Sequence, residues 1–181
     1  LLLLGISLHV IAKRDRGLFN SAYTDELTGL YNRRAYEEGL DRIRKDVPSE
    51  KRIVVAIFDV NGLKEVNDKL GHASGDEMLR GAASTIRSVY GSYGKCYRTG
   101  GDEFVVILEE PVEKLSVLNE SFEKAAEKWH GKQVAELNIS YGAALSEEVC
   151  SIDEQIILAD QRMYFAKKAY YQRIGKDRRN Y

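Results

Sequence analysis

The chain is poor in the residues that build disulfide frameworks and zinc centres. Its two cysteines, Cys96 and Cys150, lie far apart and make neither a redox nor a metal pair, and its three histidines are scattered. A disulfide scaffold and a zinc site are thereby excluded, and the thiols suit a reducing compartment. The chain also lacks a charge surplus: 27 Lys and Arg stand against 28 Asp and Glu, a formal net charge of −1. A general polyanion binder needs excess cations for counterion release, so nucleic acid is not an expected partner. Internal repeats and low-complexity tracts are missing as well.

Long apolar runs are nearly confined to the start. There "LLLLGISLHVIA" is followed at once by "KRDR". The stretch is too short to span a bilayer by itself. It reads either as the last turns of a transmembrane helix with a basic cytoplasmic flank, or as a soluble dimerisation helix. It has no n-region or cleavage site of a signal peptide. The chain begins with Leu1, so it is expected to be part of something longer. The expected organisation is a leading helix and linker over 1–22, one globular domain over 23–176 and a solvated tail over 177–181. On the membrane reading the domain faces the cytoplasm from an inner-membrane protein.

What is there is an ordinary balance, 44% apolar and 30% charged, enough for one core. Asn32 caps an expected helix over 33–46, with Tyr36, Leu40, Ile43 and Val47 at helical spacing and Pro48 as its stop. "RIVVAIF" (52–58) is a continuous apolar run of strand length, which predicts a central strand buried on both faces. A short helix over 62–69 should end near Gly71. Ser74 and Glu77 have capping-box spacing for a helix to about Tyr90. Strands over 95–99 and 103–108 join across Gly100 and Gly101. A helix over 112–129 carries Leu115, Leu118, Phe122, Ala125 and Trp129 on one face. "LNISYGAAL" (137–145) alternates as a strand, and Ser151 with Glu154 starts a last helix turning Ile152, Ile156, Ala159, Met163, Ala166 and Tyr170 inward.

The order β, helical crossover, β, β, α, β is α+β and ferredoxin-like. In strand order 4-1-3-2 the end of the first strand lies beside the start of the third. Asp59 stands at the first place, Asp102 and Glu103 at the second, so three carboxylates should meet at one sheet edge. Converging carboxylates repel unless something positive sits among them. Mg²⁺ is the natural guest, since it takes one or two carboxylates and completes its shell with phosphates. Solvated strand ends would present the same pattern. Upstream, Gly62 and the helix start offer backbone N–H groups to phosphate, with Lys64 beside them. Asn67 and Asp76 flank the break between two helices. A carboxylate there can accept from N1–H and the 2-amino group of guanine, a donor pair adenine lacks. Asp76 reads equally as an acid favoured by a helix dipole, and Asn67 as a polar residue near a helix end. His72 reads as a surface residue at a helix end.

The segments "DELTGLYNRRAY", "FDVNGLKEVNDKLGHASGDEML" and "RTGGDEF", with "NISYGAA" and "ADQRMYFAKK" after them, resemble the GGDEF-domain diguanylate cyclases in order and spacing over about 21–175. The resemblance implies a palm-type, nucleotidyl cyclase-like fold that joins two GTP into cyclic di-GMP and releases two pyrophosphates. It implies Mg²⁺ or Mn²⁺ on Asp59, the backbone of Val60, and Asp102. It makes Glu103 a further ligand or the base for the 3′-hydroxyl. It implies guanine reading by Asn67 and Asp76, phosphate contacts from Gly62, Leu63, Lys64 and Lys167, and room for the nucleotide at Gly100 and Gly101. The two-fold product implies a homodimer with one GTP per domain, regulated through the N-terminal sensor or membrane region. A degenerate GTP-binding or dimerisation module, and another nucleotidyl cyclase on the same scaffold, are the alternatives. Three positions depart from the family. Gly91 and Gly94 replace an inhibitory Arg-x-x-Asp, so no inhibitory product site is expected. Asn61 replaces a second Asp, and Tyr171 replaces a basic phosphate contact for which Arg173 or Lys176 are candidate substitutes.

Overall fold

The computed structural model describes residues 22–46, 52–109 and 114–175. The leading apolar stretch, Val47, Pro48, Lys176 and the tail 177–181 lie outside them. No helix among the described residues is long and apolar enough to cross a membrane.

The elements follow the expected order: α1 (Arg33–Asp46), β1 (Val54–Val60), α2 (Leu63–Leu70), α3 (His72–Tyr90), β2 (Gly94–Arg98), β3 (Glu103–Leu108), α4 (Leu115–Glu127), β4 (Ile139–Leu145) and α5 (Ile152–Arg173). The sheet runs β2-β3-β1-β4, with β1 antiparallel to both neighbours. This is the ferredoxin-like order, and every residue of β1 is buried, as a continuous apolar run requires. Val54, Ala56, Phe58 and Val60 face α3 and α4. Val55 and Ile57 face the second layer with Leu40 of α1 and Ala159 and Met163 of α5.

Aromatic rings fill the first layer. Phe58 meets Phe122 edge-on at 5.1 Å and stacks on Tyr141 at 5.7 Å, and Tyr90 closes the group. Burying each such ring contributes on the order of 1.5–3 kcal/mol. The phenols escape the cost of burial by bonding outward: Tyr90 donates to Asn119 and Tyr141 to Glu123. In the second layer the Gln155 amide, 2% exposed, donates to the carbonyls of Ile53 (2.7 Å) and Ala144 (2.8 Å). It satisfies acceptors near the β1 and β4 ends that the sequence did not assign to it.

Local signals were mostly kept. Asn32 accepts from the Ala35 N–H at 3.1 Å as expected of a cap. β1 begins two residues later than expected. The Ser74–Glu77 capping box is corrected: α3 begins at His72, because Gly71 (φ 84°) turns the chain straight out of α2. Ser74 sits inside the helix and bonds the Leu70 carbonyl and Gln133. Glu77 instead accepts from the N–H groups of Lys132, Gln133 and Val134, bracing the loop before β4. At α5 Ser151 caps Glu154 N–H, while the Glu154 carboxylate returns to Cys150 N–H, one residue short of a full box.

Helix α5 lies on β4 without a spacer. A Cβ on Gly142 would stand 2.3 Å from both the Ala159 carbonyl oxygen and the Met163 nitrogen, which are backbone atoms that cannot rotate away. Gly142→Ala should therefore lower stability by about 1–3 kcal/mol or more. Urea unfolding checks this, and an unchanged midpoint would mean that α5 lifts off at no cost.

Candidate active site

The antiparallel register pairs Asp59 with Glu103 directly across β1 and β3. Val60 N–H then donates to the Asp102 carbonyl at 3.1 Å, fastening the strand end to the hairpin. Thr99 N–H donates to the Glu103 carbonyl at 3.1 Å and closes the Gly100–Gly101 turn. The three expected acids thus reach one sheet edge by backbone pairing alone. They differ in surroundings: Asp59 is 5% exposed, Asp102 half-buried and Glu103 exposed. They do not form a ready cage, since among the described residues no three acid, histidine or cysteine side chains are gathered as metal ligands. The Glu103 carboxylate folds back over its own turn, 2.9 Å from where a Gly100 Cβ would stand.

Asp59 instead holds Lys167 of α5. The ammonium donates to Oδ2 at 2.6 Å and lies 2.5 Å from Oδ1. The Oδ1 contact is ionic but unaligned, so that buried oxygen has no hydrogen bond. Burial pushes the Asp59 pKa up, the Lys167 ammonium opposes it, and Asp102 and Glu103 add to the rise; the net shift is upward. Hard oxygen donors with one buried lone pair unused fit a Mg²⁺-type cation. Asn61 is not turned to this group. Its side chain exchanges hydrogen bonds with the buried Ser140 hydroxyl at 2.8 and 3.2 Å.

Beyond β1, Gly62 (φ 77°) opens α2 and presents the first N–H groups of that helix, with Leu63 half-buried and Lys64 exposed. The Gly62 N–H donates to the Tyr171 hydroxyl at 3.3 Å, a contact that sequence reasoning missed. At the far end of α2 the Asn67 side chain lies against Gly75, whose Cβ would stand 2.0 Å from Asn67 Oδ1. Asp76 follows Gly75, so both candidate guanine readers flank one corner. Asp76 is the fifth residue of α3, past the first turn, and stands 3.7 Å from Arg80. The helix-dipole explanation for this acid therefore weakens.

The hairpin is tied to the N-terminal turn by Arg98, also missed. Its guanidinium bonds both Asp25 oxygens (3.1 and 3.2 Å) and the Gly101 carbonyl (2.7 Å). Asp25 in turn accepts from the Thr28 N–H and hydroxyl, a side-chain turn that "DELTG" signals by composition.

The site is thus a palm-type sheet with a buried acid at the tip of its central strand and a helix N-terminus beside it. The family model described as "Diguanylate cyclase, GGDEF domain" matches residues 22–173. The chain belongs to this GGDEF family. It is 36% identical over 161 residues to the probable diguanylate cyclase DgcI of Escherichia coli (strain K12), covering 86% of this chain and 34% of that protein. It is 33% identical over 160 residues to diguanylate cyclase DgcN of the same strain, covering 85% and 39%. The chain thus spans between a third and two fifths of these two relatives' length. Among solved structures, the coiled coil and GGDEF domain of DgcB from Caulobacter crescentus in complex with c-di-GMP superposes with a TM-score of 0.76 at 24% identity, covering 91% of each chain. The GGDEF domain of DgcB alone, also with c-di-GMP, gives 0.70 at 27% identity, covering 87% and 94%.

The Asp25 tether carries a pH signature. Burial raises the Asp25 pKa, but hydrogen bonds from Thr28 and Arg98 outweigh it, so the folded value is lowered. Its stabilisation is present above the unfolded pKa, about 3.9, and is lost as pH falls through the folded value. Urea midpoints of wild type and Asp25→Asn, taken from pH 6 down to acid, should differ most at the high end and converge at low pH. A constant gap would assign no proton-linked role to Asp25.

Proposed function

We propose that the domain condenses two GTP into cyclic di-GMP with release of two pyrophosphates, as a homodimer that depends on Mg²⁺ or Mn²⁺. The observation that carries the reading is the register of buried Asp59 against Glu103, with the α2 N-terminus immediately after β1. The names of the curated relatives support it. Because the chain spans only part of their length, the N-terminal sensor or membrane region and its control over dimerisation belong to the same proposal.

Asp59, the Val60 carbonyl and Asp102 would hold the cation. When bound, it would neutralise charge on the phosphates and the leaving pyrophosphate. Gly62, Leu63 and Lys64 receive the phosphate tail. Asp76 accepts from the guanine N1–H and 2-amino group, and the Asn67 amide adds a donor and an acceptor along the same edge. Gly100 and Gly101 keep the hairpin clear of side chains where the nucleotide lies. Lys167 exchanges Asp59 for a phosphate oxygen. Glu103 accepts the proton of a 3′-hydroxyl, whose oxygen bonds the α-phosphorus of the facing nucleotide; the bond from that phosphorus to the β-phosphate bridge breaks and pyrophosphate leaves. Two such steps close the ring. Two loaded domains facing across a two-fold axis supply both, so orientation limits the rate.

The inhibitory site is not part of the proposal. Positions Gly91 and Gly94 border a cavity of about 290 Å³ with Arg87 and Lys95. A Cβ at Gly94 would stand 2.1 Å from the Ile107 carbonyl oxygen, so side chains are not simply added there.

A second reading, a degenerate GTP-binding or dimerisation module, is favoured by one observation: Asp59 is already neutralised by Lys167. Purified chain incubated with GTP and Mg²⁺, with products identified by mass, decides between them. Cyclic di-GMP is expected, and Asp102→Ala and Glu103→Ala should each lower its formation by about 100-fold or more while leaving thermal unfolding intact. Asp76→Ala should erode discrimination against ATP. Added cyclic di-GMP should not slow the wild type through residues 91–94. A dimer that binds GTP without product supports the module.

A further inference from the structure

Helix α5 is apolar on two faces. The inner one, with Ala159 and Met163, belongs to the second core layer. The outer one stands in solvent: Ile157 is 57% exposed, Tyr164 46% and Phe165 65%, and the Tyr164 and Phe165 rings meet edge-on. Among the described residues no other element leaves three large hydrophobics exposed. Glu154, Ile157, Gln161, Tyr164 and Lys168, all exposed, recur at alternating intervals of three and four, the spacing of a helix-pairing seam. The seam is symmetric about Gln161. Ile157 and Phe165 lie four residues to either side of it, Glu154 and Lys168 seven. The two ends carry opposite charge, an acid at the N-terminal end and a cation at the C-terminal end. The neighbouring cations of α5 are already engaged, Arg162 with Glu148 and Lys167 with Asp59, whereas Lys168 meets no acid among the described residues. Glu154 uses one carboxylate oxygen on the Cys150 N–H and keeps its charge.

We propose that the outer seam of α5 is an interface with a second copy of this chain, packed antiparallel about a two-fold axis at Gln161. A parallel pair would set like charges side by side at both ends. The antiparallel pair sets each Glu154 against the partner's Lys168. Ile157 meets the partner's Phe165 on both sides of the axis, and the two Gln161 amides, each with donors and an acceptor, satisfy one another at the centre. Asp160 flanks the axis in both copies, so its carboxylates oppose the pairing and keep it weak. This is not the pair of the proposed reaction. Lys167, which marks the site through Asp59, stands six residues from the axis. The two lysines are therefore carried about 18 Å apart along the seam, towards opposite ends. Nucleotides so placed cannot bring a 3′-hydroxyl to an α-phosphorus, which needs near contact. The seam is a second, separate interface, and it does not rest on the functional reading.

The test is sedimentation equilibrium of the full chain without nucleotide, so that its outcome is separate from the fate of the cyclase reading. Thermal unfolding serves as the folding control. Phe165→Glu should weaken self-association about tenfold or more. Lys168→Glu sets two like-charge pairs in place of two ion pairs and should weaken it about tenfold. Adding Glu154→Lys to Lys168→Glu should bring association back to within about threefold of wild type. Asp160→Asn should tighten it. In a Cys150→Ser background, Gln161→Cys should give a disulfide-linked dimer with oxidised glutathione, and Gln172→Cys, eleven residues from the axis, should not. A wild type that is monomeric at every concentration overturns the inference. So does a dimer that Phe165→Glu and Lys168→Glu leave intact, because the copies then meet elsewhere, through the leading apolar stretch or the catalytic face. A charge-reversed double variant that unfolds as wild type but stays apart overturns the antiparallel seam and the inference with it.

Discussion

The antiparallel pairing of β1 with β3 is the constraint on which the site depends. One residue of slip would send Asp59 to the other face of the sheet, away from Glu103. Slip is prevented by the apolar content of the strand itself. Val54, Ala56 and Phe58 must face α3 and α4, and Val55 and Ile57 must face α1 and α5. The hydrophobic pattern therefore specifies where the acids stand. The site's precision is a by-product of core packing, and no side-chain bond among the acids is needed to hold it.

That placement forces a charge problem. Asp59 is drawn under the surface by the strand it terminates, beside two further acids. A lone buried carboxylate is costly, and a buried ion pair recovers that cost only with good geometry. Lys167 supplies the countercharge from α5, and α5 can reach because Gly142 lets it lie directly on β4. The helix that completes the second core layer is thus also the one that makes the acidic edge tolerable. Packing and electrostatics are solved by the same element.

How much of this was legible in the sequence depends on the range of each interaction. The Asn32 cap is written in a local pattern and stands as read; the buried run of β1 is read correctly but starts two residues later, and α4 ends at Glu127, short of the expected 129, so that Leu115, Leu118 and Phe122 pack on the core from the helix and Trp129 from beyond it. The meeting of Asp59 with Asp102 and Glu103 followed from strand order, because backbone registers carry side chains with them. What was missed is side chain against distant partner: Gln155 on Ile53, Glu77 on the 132–134 loop, Arg98 on Asp25, Asn61 on Ser140. Each joins residues more than fifty positions apart, and neither end has a period or a spacing to betray it. The Ser74–Glu77 reading failed for the related reason that a box motif says nothing of a preceding Gly71 that already turns the chain.

The Asp59–Lys167 pair bears on how the site would work under the proposed function. Asp59 cannot serve a cation and keep Lys167 at 2.5–2.6 Å at the same time. Lys167 must leave, and leaving is cheap only if another anion waits within its reach. A phosphate oxygen at the α2 N-terminus would be that anion, because Tyr171, one turn along the same helix, already touches Gly62. Loading would then be coupled under that proposal: the lysine's transfer from carboxylate to phosphate would free the acid as the nucleotide arrives. Under that proposal the Asp59–Lys167 pair would favour cation and phosphate together over either alone.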